Sequence, residues 1–248
     1  MKIVLNGAGG RMGVEVAHLL FDGFRNVSLA AAVDVTYVSD PSKKMFASLN
    51  EFDGSCDCIV DFSHHTATES LLNYAVKKHI PLVIATTSQT ESEIDAIKQA
   101  SAHVPIFFSA NMSIGIALLA ELAKQTVALF PDADVEIVES HHNQKLDVPS
   151  GTALLLANAI KEERKTAVFN VGRNQNGKRT ADEIGIHSLR IGSEIGDHKI
   201  IVGTQTQTIT LEHRAQSRVL FAEGAIAAAC FVSDKADGLY NMKNIIKR

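Results

Sequence analysis

A short apolar run, residues 2–6, breaks into Gly7-Ala8-Gly9-Gly10-Arg11-Met12-Gly13, and helical spacing follows at once over 11–22. Few folds accept glycines so placed. They allow a tight turn between a strand and a helix, and they let backbone N–H groups approach an anion at the positive end of that helix. Asp34 ends the next apolar run, 28–34. A carboxylate there can accept both hydroxyls of an adenosine ribose and would repel a 2′-phosphate. The strict G-x-G-x-x-G form is not met, because its third glycine would fall on Met12. Strand, turn, helix and acid together nevertheless read as a dinucleotide site. The competing explanation is a turn kept only for packing. Arg11 could serve a pyrophosphate or simply the surface.

The alternation continues. Strands are expected at 56–63, 82–87 and 104–110, with helices at 66–78 and 91–101. Val14, Ala17, Leu20 and Phe21 fall near one face of the first helix, and Thr90 with Glu93 has capping-box spacing. Continuous apolar strands separated by helices mean a parallel sheet covered on both faces. The segments 85–88 and 109–112 lie at its carboxyl edge, where ligands of such sheets bind. Thr86 and Thr87 could equally be helix-entry residues.

The pattern changes after Asn111. A long helix (113–129), a strand (134–139) and a helix (151–163) precede a polar stretch, 166–182, expected to be an exposed loop. Alternating stretches follow at 184–191, 198–203, 206–213 and 217–221, then an Ala-rich helix at 223–232. This is the signature of a second, smaller α+β domain with a mostly antiparallel or mixed sheet.

Composition narrows the function classes. Lys plus Arg number 24 against 28 Asp plus Glu, the wrong bias for a general nucleic-acid binder. No apolar run is long enough to span a bilayer, and a first strand at Lys2 leaves no room for a signal peptide. Three cysteines, Cys56, Cys58 and Cys230, cannot build a disulfide framework. Cys56 and Cys58 are expected on one face of a strand as small buried hydrophobes. A reducing, cytoplasmic setting fits.

The most polar cluster is Glu139-Ser140-His141-His142-Asn143-Gln144-Lys145-Leu146-Asp147-Val148-Pro149-Ser150-Gly151-Thr152. Its Ser-Gly-Thr turn opens a helix, so N–H groups there can bind a carboxylate, with Ser150 as N-cap. Lys145 can add a point charge or donate a proton. His141 or His142 could be an acid–base group. Adjacent histidines on an extended strand point to different sides, so one of them at most faces a site. Metal binding is not expected, since no second ligand pair stands at metal spacing. The cluster suits a small dianionic substrate. His64 and His65, after the third strand, are expected at the surface.

The chain resembles the dihydrodipicolinate reductase (4-hydroxy-tetrahydrodipicolinate reductase) family over essentially its whole length. The carriers are GAGGRMG at 7–13, Asp61-Phe62-Ser63, Ala85–Ser88, SANMSIG at 109–115 and, above all, ESHHNQKLDVPSGTA at 139–153. The stretch from Arg190 through Gly192 and Gly196 to His198, and 213–218, agree too. The resemblance implies a Rossmann-type domain, 1–111 with 222–248, and a domain for substrate binding and oligomerisation, 112–221. It implies hinged closure over the substrate and a homotetramer. It implies hydride transfer from NADH or NADPH to 4-hydroxy-tetrahydrodipicolinate or dihydrodipicolinate, giving tetrahydrodipicolinate for diaminopimelate and lysine biosynthesis. His141 matches the family's acid–base histidine and Lys145 its proton-donating lysine. His142, Ser150, Gly151 and Thr152 match substrate-carboxylate contacts. Gly7, Ala8, Gly9, Gly10, Arg11, Met12, Asp34, Ala85, Thr86, Thr87, Ser109, Ala110, Asn111 and Met112 match cofactor contacts. Two departures stand out. Ala85 and Ser88 replace the glycines of a common GTTG, and Val35 rather than a basic residue follows Asp34. Lys43 and Lys44 are the nearest cations in sequence. NADH is therefore expected to be preferred or nearly equal to NADPH.

Overall fold

The computed structural model describes residues 1–247. In chain order its elements are β1 (Lys2–Asn6), α1 (Arg11–Phe21), β2 (Ser28–Val33), β3 (Met45–Phe46), β4 (Cys58–Asp61), α2 (Thr68–Lys78), β5 (Leu82–Ile84), α3 (Glu91–Ala100), β6 (Pro105–Phe108), α4 (Ile114–Leu129), β7 (Asp134–His141), α5 (Gly151–Glu163), β8 (Val168–Val171), β9 (Glu183–Arg190), β10 (Asp197–Gly203), β11 (Thr208–Arg214), α6 (Val219–Val232), β12 (Gly238–Tyr240) and α7 (Met242–Ile246). They fall into two compact units, Met1–Ile114 with the stretch from Arg218 onward, and Gly115–Ser217. Arg248, inside the expected 222–248 segment, lies outside the described residues.

The first unit is a parallel sheet in the order β3-β2-β1-β4-β5-β6-β12. Alternate residues of its central strands pack on opposite faces. Val4, Ile59, Leu82, Ile84 and Ile106 meet Leu71 and Ala75 of α2 and Ile97 of α3. On the other face lie α1 and α6, against β1, β4, β5 and β6. A fully buried aliphatic side chain contributes roughly 1.5–3 kcal/mol. The strands owe their stability mainly to these layers. The capping box of α3 is present: Thr90 Oγ1 accepts from the Glu93 N–H, and Glu93 accepts from the Thr90 N–H.

The inward face of α1 differs from expectation. Gly13, Val16 and Leu20 are buried, whereas Val14 is 44% and Phe21 90% exposed. Gly13 takes the packing position because a Cβ there would lie 2.1 Å from the Gly7 carbonyl oxygen. The face is set by that close approach, and Phe21, the last residue of the helix, points to solvent. Cys58 is buried within β4, but Cys56 precedes the strand and is only half-buried.

The second unit holds a mixed sheet in the order β8-β9-β7-β10-β11. β9 runs parallel to both β7 and β8, while β10 is antiparallel to β7 and β11. Val135, Ile137, Ile184, Ile186, Ile200 and Val202 share a core with Leu119 and Ala123 of α4 and Leu156 and Ile160 of α5. Two expectations are corrected. The supposed loop 166–182 contains β8, an edge strand whose residues are partly exposed. The stretch 217–221 is not a strand. It leads into α6, which starts at Val219.

Candidate active site

In the first unit, β1 delivers Gly7 to the carboxyl edge of the sheet. Gly7 has φ +79°, and a Cβ on it would meet the backbone of Phe62 and Ser63 at 2.5–2.7 Å. Only glycine lets the turn lie this close to the end of β4. Gly10 caps α1 without a side chain, and no acidic residue sits in the first turn. That helix end is built for an anion. Asp34 accepts from the Gly9 N–H at 2.9 Å, the Thr36 N–H at 2.9 Å and the Thr36 hydroxyl at 2.6 Å. Burial pushes its carboxyl up, and the bonds from Thr36 and Gly9 outweigh that and hold it below its ordinary value. The carboxylate is thus charged and locked against the glycine turn. These residues fit a dinucleotide.

Neither nearby lysine stands free beside Asp34. Lys43 pairs with Asp40 at 3.0 Å, and Lys44 donates to the Leu29 carbonyl at 3.1 Å. Further along the edge, Thr86 donates to Asp61 at 2.6 Å, and Ser109 donates to the Asn111 carbonyl at 2.7 Å. Ala85, Thr86 and Met112 are buried, while Thr87 and Ala110 are exposed. Ala85 and Met112 thus offer a ligand little but backbone. His64 is exposed, and its ring accepts from the Thr66 N–H. His65 is only half-exposed and pairs with Glu93 at 3.1 Å.

In the second unit the expected cluster assembles around a residue not singled out for a role. Glu139 is completely buried. His141 Nδ1 lies 2.5 Å from its Oε2. Arg190 grips both oxygens, at 2.9 and 3.0 Å, and the Ser150 N–H donates at 3.1 Å. Burial pushes the Glu139 carboxyl up, but its bonds, those from His141 and Arg190 above all, pull it well below the ordinary range. The parallel pairing of β7 and β9 makes this possible, since it sets Arg190 opposite His141.

Ser150 is the N-cap of α5, accepting from the Ala153 N–H at 3.1 Å, as expected from the Ser-Gly-Thr turn. Its hydroxyl also meets Nε2 of His198 at 3.2 Å. His198 is buried and stacks edge-on against His141, ring centres 5.1 Å apart. Burial, reinforced by His141, pushes His198 down to about 4, so it is neutral near pH 7.

Lys145 has its own carboxylate partner. Its ammonium pairs with Asp147 at 2.7 Å. The same loop is anchored by Arg190, which donates to the Asp147 carbonyl at 2.6 Å. The His142 N–H donates to the Glu194 carbonyl at 2.7 Å, and His142 is half-buried, whereas His141 is buried. The structure therefore gathers His141 and Ser150 into one network and ties the Lys145 loop to it through Arg190. Gly151 and Thr152 open α5. Glu139, Arg190 and His198 lay within motif stretches, yet their contacts needed the strand register.

The description "Dihydrodipicolinate reductase, N-terminus" matches residues 1–112, and "Dihydrodipicolinate reductase, C-terminus" matches 115–246. The 4-hydroxy-tetrahydrodipicolinate reductase of Clostridium novyi (strain NT) is 41% identical, covering 99% of this chain and 98% of that protein. That of Clostridium tetani (strain Massachusetts / E88) is also 41% identical, covering 98% and 95%. A solved structure of dipicolinate-bound dihydrodipicolinate reductase from Paenisporosarcina sp. TG-14 superimposes with a TM-score of 0.83 at 26% identity, over 99% of both chains. A probable dehydrogenase from Thermotoga maritima, 13% identical and covering 94% of this chain and 88% of its own, shares the fold with a TM-score of 0.65. The glycine turn with its locked aspartate, the Glu139 network, the two adjoining family matches and the full-length relatives lead to one conclusion: the chain belongs to the dihydrodipicolinate reductase family of NAD(P)H-dependent oxidoreductases.

Proposed function

We propose that this chain reduces 4-hydroxy-tetrahydrodipicolinate, or the dihydrodipicolinate formed from it by loss of water, to tetrahydrodipicolinate on the route to diaminopimelate and lysine. The observation that carries this reading is the network of Glu139, His141 and Ser150, all from the string 139–153, closed by Arg190 of β9 at the N-terminus of α5. The reduced dinucleotide, when bound, supplies the hydride. The chain's own residues do the rest. Ser150, Gly151, Thr152 and His142 hold a substrate carboxylate, favoured by the helix dipole and by the lack of an acidic side chain in the first turn of α5. Lys145 donates the proton that completes reduction of the double bond, and His141 assists that transfer. Asp147 keeps the ammonium in place until the substrate engages it.

Gly7 to Met12 and Asp34 receive the dinucleotide, with backbone groups of Ala85–Thr87 and Ser109–Met112 along the same edge. NADH serves as well as NADPH or better. A 2′-phosphate beside Asp34 needs a cation, and both nearby lysines are engaged elsewhere. The enzyme works in the cytoplasm as a homotetramer joined through the second unit. Support comes from its free cysteines, from the solvent-facing edges β8 and β11, and from exposed Leu189 and Ile191. Among the described residues no helix is long and apolar enough to cross a membrane. The reading is tested by mixing the protein with freshly generated substrate and following loss of NADH and of NADPH. Oxidation that depends on substrate is expected, with kcat/KM for NADH at least equal to that for NADPH. No substrate-dependent oxidation would refute the activity, and a clear NADPH preference would refute the cofactor assignment.

A further inference from the structure

Glu139 is a charge with no exposed surface, and four hydrogen bonds fill its two oxygens. Burying a carboxylate costs more than burying an apolar side chain of similar size, so stability alone does not call for an acid here. Its geometry points to another use. Oε2 lies 2.5 Å from Nδ1 of His141 and can only accept there when ionised. Which imidazole nitrogen carries the proton is set by the partner of the other. The Nε2 side is kept clear by Gly196, where a Cβ would stand 3.1 Å from Nε2.

We infer that Glu139 is a positioning residue that fixes His141 as the Nδ1–H form and presents Nε2 for proton exchange, with Arg190 holding Glu139 and the Lys145 loop in one frame. The inference rests on the reading of His141 as a proton-exchanging group. The charged and titratable groups around the ring fit it. Glu139 lies on the same strand, Arg190 comes from β9, and His198 comes from β10. Burial, His141 and, from β11, His213 hold His198 neutral against the opposing pull of Glu139 and of Asp197 on β10, so no second cation competes for Glu139. Arg190 completes the frame by bonding at 2.6 Å the backbone carbonyl of Asp147, the residue whose carboxylate pairs with Lys145.

The test is the nitrogen spectrum of the histidine-labelled wild-type protein, with His141 assigned by loss of its signals in His141→Gln. In mildly alkaline buffer, where histidines are ordinarily neutral, the Nδ1-protonated form is expected. An Nε2-protonated His141 overturns the inference whatever the activity. Glu139→Gln should lower kcat about ten- to a hundredfold, the scale for losing a group that orients a functional histidine. KM and NADH binding should barely move. Unchanged kcat in a folded Glu139→Gln also overturns it. If that variant does not fold, the wild-type spectrum decides alone. Full activity of His141→Gln would strike the reading of His141 instead, and it is scored separately from the tautomer.

Discussion

Asp61 and Glu139 are buried to nearly the same degree, 2% and 0% exposed, and their acidities move in opposite directions. Asp61 sits at the carboxyl end of β4 and accepts from Asn6 at 2.7 Å, Ser63 at 2.6 Å and Thr86 at 2.6 Å. Burial pushes its carboxyl up, and these uncharged donors only partly offset that. Glu139 meets a guanidinium fork, an imidazole and a helix N-terminus, and is driven far the other way. Burial does not decide the state of an acid. The charge of its partners does. At the parallel-sheet edge Asp61 accordingly sits among neutral donors, while in the mixed-sheet unit Glu139 sits in a network of charges.

The largest break in this contrast should come from Glu139→Ala. It leaves Arg190 without its carboxylate, and unfolding free energy should fall by about 3–5 kcal/mol. Urea denaturation measures it, and a loss below about 1 kcal/mol would mean the network is slack. Gly13→Ala comes next. The added methyl would lie 2.1 Å from the Gly7 oxygen, so a loss of about 1–3 kcal/mol is expected, with weaker NADH binding measured by calorimetry.

Titration separates the two acids by sign. The stabilisation from Glu139 is complete above its ordinary value of 4.5 and is lost as pH falls toward the folded value. Asp61 works in reverse. Its penalty is absent below 3.8, grows as pH rises from there toward its raised folded value, and is complete above it. Relative to wild type, Asp61→Asn should therefore be more stable at about pH 7 than at about pH 4. The opposite ordering in denaturation curves would show that Asp61 is stabilised as a carboxylate. The smallest effect belongs to Ser88, which has φ +72°, in the left-handed region that favours glycine. Ser88→Gly removes backbone strain but frees the unfolded chain, so a net change within about 0.5 kcal/mol is expected from thermal melts.

The same contrast explains what could be read from the chain alone. The glycine turn, Asp34, the Thr90 capping box and the Ser150 cap are local, and residues a few positions apart determine them. Arg190 and His198 reach Glu139 and Ser150 across 51 and 48 residues. Those meetings depend on the parallel register of β9 and the antiparallel register of β10 on β7, which no short pattern encodes. Apolar spacing places Phe21 on the buried face because spacing cannot show where a close backbone approach fixes the helix face. β8 was hidden because a partly exposed edge strand lacks a strong apolar signature, and 217–221 mixes the entry to a helix with apolar residues that mimic alternation.

The most direct test of the account is the kinetics of Lys145→Ala. If Lys145 gives its proton in the transition state, kcat should fall by about two to four orders of magnitude. The dissociation constant for NADH, a ligand assigned to the other unit, should be unchanged. A variant with near-normal kcat and only a raised KM would contradict the account. Lys145 would then be an anchor for the substrate's charge, and the proton would have to come from His141 or water.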